Sequence, residues 1–201
     1  MEKRKIIIFA SGSGSNAENF VNFSRTEDSL FEVVSILCNK PDAYVLCRAE
    51  RLGVPSLTFT PTQLRNNLIT VSGKEISFTG YLKESGADIL VLAGFLLKIP
   101  DYMIEEFSGR IVNVHPALLP AYGGKGMYGE HVHMAVIAAG EKRSGITIHI
   151  VDNKYDHGAI LRQFECEVKG DDTPETLAAR IHTLESQYPS VVNSYIKEIF
   201  R

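Results

Sequence analysis

The stretch Ile6-Ile7-Ile8-Phe9-Ala10-Ser11-Gly12-Ser13-Gly14-Ser15-Asn16 decides the fold of this 201-residue chain. Its first five residues form a continuous apolar run, which is typical of a parallel strand buried on both faces. A glycine- and serine-rich turn follows directly, and residues 17–23 then show the apolar spacing of a helix. The stretch therefore predicts a central parallel strand that leads through a glycine turn into a helix.

The turn after this strand is suited to binding an anion. Ser15 and Glu18 have capping-box spacing, which predicts that the helix begins near Ser15. The free backbone N–H groups and the positive dipole end of such a helix attract phosphate. A plain tight turn is the alternative. Ala17 stands where a dinucleotide fingerprint has its third glycine, and no acidic residue closes the strand at residues 31–38, so a monophosphate fits better than NAD.

The rest of the chain alternates predicted strands and helices. Further strands are predicted at residues 31–38, 56–59, 88–93, 110–114, 144–151 and 160–168. Helices are predicted at residues 41–52, 74–84 and 101–107, from near His131, and from Thr173 to the C-terminus with a kink at Pro189. Residues 60–73 fit either helix or loop. This alternation favours an α/β class, with a single-domain, open, mostly parallel twisted sheet carrying helices on both faces and spanning residues 1–201.

Composition excludes several classes of protein. The net charge of −3 gives no basic excess for nucleic acid or a membrane surface. No apolar stretch approaches the roughly 20 residues of a membrane span. Three cysteines without a paired spacing are interpreted as reduced thiols in a cytoplasmic protein. His131 and His133 would not share a helix face, so no metal site is expected.

A second stretch, Ile111-Val112-Asn113-Val114-His115-Pro116-Ala117-Leu118-Leu119-Pro120, combines a buried strand with polar groups. Asn113 and His115 are two residues apart, so their side chains point to the same face of the strand. Pro116 ends the strand, and ligands bind at the carboxyl ends of strands in open α/β sheets. Asp156, in the loop after an alternating strand, completes the candidate set. Simple packing of Asn113 and His115 is the alternative.

The loop Gly94-Phe95-Leu96-Leu97-Lys98-Ile99-Pro100 is unusually apolar. Loops are normally polar, so this one is interpreted either as a buried corner of the core or as the lining of an apolar pocket for a flat ligand. In the second case its backbone groups would bind the edge of a heterocycle.

The string from Asn113 to Pro120 resembles the signature of the formyltetrahydrofolate-dependent formyltransferases. Asp156 in Tyr155-Asp156-His157-Gly158, Ala93-Gly94-Phe95 and Gly145-Ile146-Thr147-Ile148-His149 are similar to further motifs of that family. The turn at residues 11–16 resembles the branch that formylates glycinamide ribonucleotide in purine synthesis. The resemblance implies a Rossmann-like fold, with 10-formyltetrahydrofolate as formyl-donor co-substrate and no metal.

The resemblance also implies roles for individual residues. The catalytic residues would be Asn113, His115 and Asp156. The phosphate and ribonucleotide would be bound by Ser13, Gly14, Ser15, Asn16 and Glu185. The folate would be bound by Phe95, Leu96, Leu97, Lys98, Ile99 and Asn113. A solvated surface carboxylate is the alternative for Glu185.

The sequence departs from the family's usual pattern at Leu97, in residues 121–130 and at residues 157–159.

Formyl transfer passes through a tetrahedral intermediate with an oxyanion. Asn113 would donate to that oxygen, and protonated His115, stabilised by Asp156, would supply a proton. The alternatives are a methionyl-tRNA formyltransferase, a formyltetrahydrofolate deformylase and a nucleotide-binding module without catalysis. The last would be favoured if the three side chains lay more than roughly 6–8 Å apart. The expected partners are small-molecule substrates, without nucleic acid or membrane, for a monomer or homodimer.

Overall fold

The strands and helices follow the predicted alternation in the computed structural model, which describes residues 2–200. The strands are β1 (Arg4–Ala10), β2 (Phe31–Cys38), β3 (Ser56–Thr58), β4 (Leu68–Val71), β5 (Lys74–Ser77), β6 (Ile89–Leu92), β7 (Ile111–His115), β8 (Arg143–Ile150) and β9 (Ile160–Glu167). The helices are α1 (Ser15–Ser24), α2 (Tyr44–Leu52), α3 (Pro61–Arg65), α4 (Phe78–Glu84), α5 (Asp101–Glu106), α6 (Glu130–Ala138), α7 (Pro174–Glu185) and α8 (Tyr188–Ile199).

Seven of the strands form one sheet in the order β3-β2-β1-β6-β7-β8-β9. The pairs from β3 to β7 are parallel, and β8 and β9 continue the sheet in antiparallel orientation. Strands β4 and β5 form a separate hairpin. The predicted fold class, a mostly parallel sheet with helices around it, is confirmed.

Strand β1 explains why its sequence is apolar without alternation. Residues 6–10 are all fully buried. Ile6 and Ile8 pack into the core on one face of the sheet, and Ile7 and Phe9 pack into the core on the other. A strand covered on both faces has no solvent side on which to place polar residues.

The start of α1 differs from the prediction. The helix does begin at Ser15, but its N-cap is Gly14 in the left-handed region, and no side chain caps it. The predicted capping box is therefore wrong. Glu18 instead pairs with Arg48 and Arg51 of α2, because α2 packs beside the first turn of α1.

The segment before β6 also contains structure that the sequence pattern did not predict. Thr60 and Gln63 form a capping box at the start of α3. The predicted helix at residues 74–84 begins only at Phe78, where Ser77 caps it, because residues 74–77 pair with β4. Ser72, at φ 50°, and the glycine after it provide the left-handed turn that closes this hairpin.

The C-terminal segment contains two helices where one kinked helix was predicted. Thr173 caps α7 and Pro174 lies in its first turn, as expected. Helix α7 ends at Glu185, and Pro189 lies in the first turn of α8. Proline is tolerated there because its missing N–H would have no helical partner, so the break falls before Pro189. Within residues 2–200, no helix is both long and apolar enough to cross a membrane.

Candidate active site

A cleft of about 490 Å³ lies at the carboxyl ends of β1, β6 and β7. Its walls come from four stretches that follow strands, namely residues 12–16, 92–99, 113–116 and 149–156. Helices α6 and α7 close one side. Every residue predicted to act in catalysis or binding lines this cleft. The carboxyl ends of the parallel strands β1, β6 and β7 lie at one edge of the sheet, which brings the first three stretches together. The fourth begins at His149 of antiparallel β8, which is paired with Asn113.

His115, at the end of β7, is fixed by contacts to both ring nitrogens. The ring is 3% exposed. Its Nε2 lies 2.7 Å from the Tyr122 carbonyl, which only accepts, so Nε2 carries a hydrogen. Its Nδ1 lies 3.6 Å from Oδ2 of Asp156. Nδ1 therefore faces a carboxylate, and Nε2 is committed to the backbone.

Asp156 lies between two imidazoles. Its Oδ1 is 3.7 Å from Nε2 of His149, and its Oδ2 accepts a hydrogen bond of 2.9 Å from the Gly124 N–H. Its backbone is in the left-handed region at φ 53°, an uncommon conformation for aspartate that the surrounding contacts hold in place. The separation of His115 from Asp156, 3.6 Å, is therefore shorter than the one that would favour a module without catalysis.

Sequence reasoning missed His149. The antiparallel pairing of β7 with β8 sets it opposite Asn113. Its Nδ1 donates to the Ile150 carbonyl at 2.9 Å, and burial lowers its pKa, although that hydrogen bond and Asp156 oppose the shift. The neutral ring therefore accepts at Nε2 from Asn113 Nδ2, 3.1 Å away. The signal was present, because His149 lies on the polar face of the predicted alternating strand.

The segment after His115 is held by two polar side chains. Thr147, opposite His115 in the strand pairing, donates to the Ala117 carbonyl and accepts from the Leu119 N–H. Gln163 on β9 donates to the Leu119 carbonyl and to Thr147. These bonds fix the path of the chain where it leaves β7, and therefore the position of His115.

The other end of the cleft is formed by residues 12–16, called the glycine turn below. Asn16 is buried, and its Nδ2 donates to Oε2 of Glu185 at 2.8 Å. Glu185 is only 8% exposed, so it is not a solvated surface residue. The glycine turn and the end of α7 therefore form one polar wall.

Two more histidines line this wall, and neither was predicted to act there. His182 lies 2.8 Å from the same Glu185 oxygen, and this hydrogen bond raises the His182 pKa. His133 is buried with no hydrogen-bond partner for Nδ1 within residues 2–200, and burial lowers its pKa. No group of three potential metal-binding side chains comes together in the described part of the chain.

The loop at residues 94–100 is partly a buried corner of the core and partly a lining of the cleft, the two interpretations that its apolar sequence allowed. Phe95 packs edge-on against Phe9, and Ile99 is buried in the core on the same face of the sheet as Phe9. Leu96 is 47% exposed at the cleft. The peptide groups of Leu97 and Lys98 make no hydrogen bond within residues 2–200. The apolar side chains thus anchor the loop, and its backbone remains available to a ligand.

The loop between β7 and α6 contacts both His115 and Asp156. Gly123 is packed so closely that a Cβ there would lie 2.6 Å from Leu119 and 3.2 Å from the Asp156 Cβ. Gly158 is equally constrained, because a Cβ would lie 1.9 Å from the Ile150 carbonyl oxygen. The glycines in these two segments therefore allow the close packing that places Asp156.

The chain is similar to known proteins over nearly its whole length. Residues 4–192 match the formyl transferase family. A phosphoribosylglycinamide formyltransferase of Bacillus subtilis is 36% identical over 96% of this chain and 95% of its own. A chloroplastic enzyme of the same name from Arabidopsis thaliana is 39% identical over 98% of this chain and 66% of its own. The crystal structure of the Bacillus halodurans enzyme superimposes with a TM-score of 0.83 at 32% identity, covering 96% and 95% of the two chains.

Proposed function

The chain belongs to the formyl transferase family, and on that premise we propose that it transfers a formyl group from 10-formyltetrahydrofolate to the amino group of glycinamide ribonucleotide. The supporting observation is that one cleft joins a turn suited to phosphate with the Asn113, His115 and Asp156 side chains. Relatives that cover nearly the whole chain carry this activity in their names. The reaction belongs to purine biosynthesis.

Asn113 acts as the oxyanion donor in this proposal. One Nδ2 hydrogen is bound by the neutral His149 ring, which fixes the orientation of the amide. The second Nδ2 hydrogen is then available to the formyl oxygen as it gains negative charge. A donor held in advance stabilises the transition state without a cost of reorganisation when the reaction occurs.

His115 acts as the proton donor. Since Nε2 is bound to the Tyr122 carbonyl, the transferable proton is at Nδ1, 3.6 Å from Asp156. The carboxylate stabilises the protonated ring, which in turn stabilises the oxyanion and gives its proton to the leaving folate nitrogen. A water held by Asp156 takes a proton from the attacking amine and passes it to the His115 ring that has given up its own, so the site returns to its starting charge. General acid–base assistance of this kind contributes about 10²–10⁴ in rate.

The two substrates bind at opposite ends of the cleft. Ser13, Gly14, Ser15 and Asn16 bind the phosphate through their amides and the N-terminus of α1. Glu185, held by Asn16 and His182, contacts the ribose. The pterin lies against the loop at residues 94–100, where the free peptide groups of Leu97 and Lys98 bind the edge of the ring and Leu96 contacts its face.

The test is a formyl-transfer assay with glycinamide ribonucleotide and 10-formyltetrahydrofolate, with free formate measured in parallel. We expect formylated acceptor and little formate. Formate release without formylation of the acceptor would identify a deformylase. Binding of both substrates with neither product would identify a module without catalysis.

Three further properties belong to this proposal. The whole chain, residues 1–201, forms one formyltransferase domain, which the family match over residues 4–192 supports. The enzyme works in the cytoplasm, which the three free cysteines support. It is a monomer or a homodimer, which sedimentation analysis of the purified protein distinguishes.

A further inference from the structure

Helix α2 lies behind the glycine turn, on the side away from the cleft, and touches it at three points. The Val45 N–H donates to the Gly12 carbonyl at 3.1 Å. Nε of Arg48 donates to the Ser13 carbonyl at 2.9 Å. Gly14 packs so tightly on the helix that a Cβ would lie 2.4 Å from Val45 Cγ2. Helix α2 therefore contacts the turn at Gly12, Ser13 and Gly14 in succession.

These contacts fix the direction of two peptide groups. In a planar trans peptide, the carbonyl of one residue and the N–H of the next point in opposite directions. The carbonyls of Gly12 and Ser13 face α2, so the N–H groups of Ser13 and Gly14 point away from it, toward the cleft. Neither N–H has an acceptor within residues 2–200. The turn offers donors to the cleft because α2 binds its acceptors.

Arg48 is itself held in place on several sides. Its guanidinium pairs with Glu18 on α1 and lies 5.1 Å from the centre of the Tyr44 ring. Arg51 pairs with the same Glu18 carboxylate but makes no contact with the turn. Because Glu18 offsets the charge of Arg48, and because Arg48 does not line the cleft, its contribution to the turn is one of geometry.

We propose that Arg48 is a positioning residue for the acceptor's phosphate, because its bond to the Ser13 carbonyl keeps the Gly14 N–H directed into the cleft. The inference rests on the proposed function, in which the glycine turn binds a phosphorylated acceptor. It extends the phosphate site to a helix outside the lining of the cleft.

The test compares Arg48→Met with Arg51→Met, which serves as the matched control because both variants remove one partner of Glu18. Each is assayed with glycinamide ribonucleotide and with the same acceptor lacking its phosphate. For Arg48→Met we expect KM for the phosphorylated acceptor to rise about ten-fold, which is typical for loss of a charged hydrogen bond. We expect kcat, KM for the folate and kcat/KM for the acceptor lacking phosphate to stay within about two-fold of wild type.

Arg51→Met should match wild type in all of these constants, and Arg48→Lys should recover part of the lost affinity. Equal effects on both acceptors, or equal effects of the two Met variants, would overturn the inference. Titration of inorganic phosphate into wild type and Arg48→Met separates this inference from the proposed reaction. Weaker phosphate binding by Arg48→Met supports it even if formyl transfer is absent, and no phosphate binding by wild type overturns it together with the phosphate site.

Discussion

The two ends of the cleft are built from different parts of the chain. The glycine turn is one continuous segment of five residues, and it presents backbone groups fixed by the helices beside it. The other end, called the catalytic end for the role proposed above, brings together Asn113 and His115 from β7, His149 from β8 and Asp156 from a later loop. The three residues proposed to act in catalysis and the neighbouring His149 are called the catalytic group below. A binding site made of backbone depends on local sequence, whereas the catalytic group depends on how distant strands pair.

The two ends also differ in how they respond to change. The glycine turn contains no side chain that titrates near neutral pH, so its function depends on shape. The catalytic group contains two buried imidazoles beside one carboxylate, so its function depends on charge. Substitutions at the catalytic end should therefore alter turnover, and substitutions in the turn should alter packing.

The largest effect is expected for Asp156→Asn. This change keeps the size of the side chain but removes the charge that faces both His115 and His149. We expect kcat to fall at least about 10³-fold, with KM for both substrates close to wild type. Steady-state kinetics at neutral pH measure this directly, and near-normal turnover would remove Asp156 from the mechanism.

Asp152→Asn is the matched control for this variant. Asp152 lies in the same loop, but its side chain is 41% exposed and pairs with the exposed His157. Within residues 2–200 it forms no hydrogen bond or ion pair with either imidazole of the catalytic group, and its charge acts on His149 only as a minor influence. We expect kcat to change less than about three-fold, so a large loss in both variants would point to disruption of the loop instead of chemistry.

A smaller loss of turnover is expected for Asn113→Ala. The change removes one oxyanion donor, and removal of such a donor costs about 10²- to 10³-fold in kcat. The same measurement of kcat and KM distinguishes this role from a contact to the bound folate. If KM for the folate rose while kcat stayed unchanged, Asn113 would act in binding alone.

The sequence allowed prediction of the glycine turn and of β1 because both depend on neighbouring residues. The Asn113 and His115 pair was predicted for the same reason, since side chains two residues apart share a strand face. His149 was missed because its role arises from antiparallel pairing with β7, and register between distant strands is not encoded locally. The capping box failed similarly, because α2 supplies two arginines that take Glu18 away from the helix end.

Gly14→Ala tests the dependence of the turn on shape. An added Cβ would lie within 3 Å of three Val45 atoms, at a residue whose φ is +80°. Overpacking and left-handed strain together cost about 3 kcal/mol in the free energy of unfolding. Gly12→Ala is the control, because a Cβ there meets nothing within 4 Å. Urea denaturation should show a lower free energy of unfolding for Gly14→Ala only. If Gly14→Ala were as stable as Gly12→Ala, Val45 would have to move aside to make room for the added Cβ.

Acid should destabilise the protein through its buried imidazoles. Burial lowers the pKa values of His149 and His133, so below about pH 6.5 the unfolded chain binds protons that the folded chain does not. The free energy of unfolding therefore decreases as the pH is lowered, by at most about 1.4 kcal/mol per pH unit for each group. His182 has the opposite effect on stability. Its pKa is raised above 6.5, so the stability it contributes is present at lower pH and is lost as the pH increases through that raised pKa.

His149→Gln removes one of the two groups and should make this loss of stability less steep, whereas Gly12→Ala should leave its slope unchanged. Urea denaturation at about pH 7 and about pH 5.5 measures both slopes. An unchanged slope in His149→Gln would mean that His149 binds its proton equally well in both states. In that case the folded ring takes up its proton near pH 6.5 as the unfolded chain does, and below that pH it donates to Asp156 instead of accepting from Asn113.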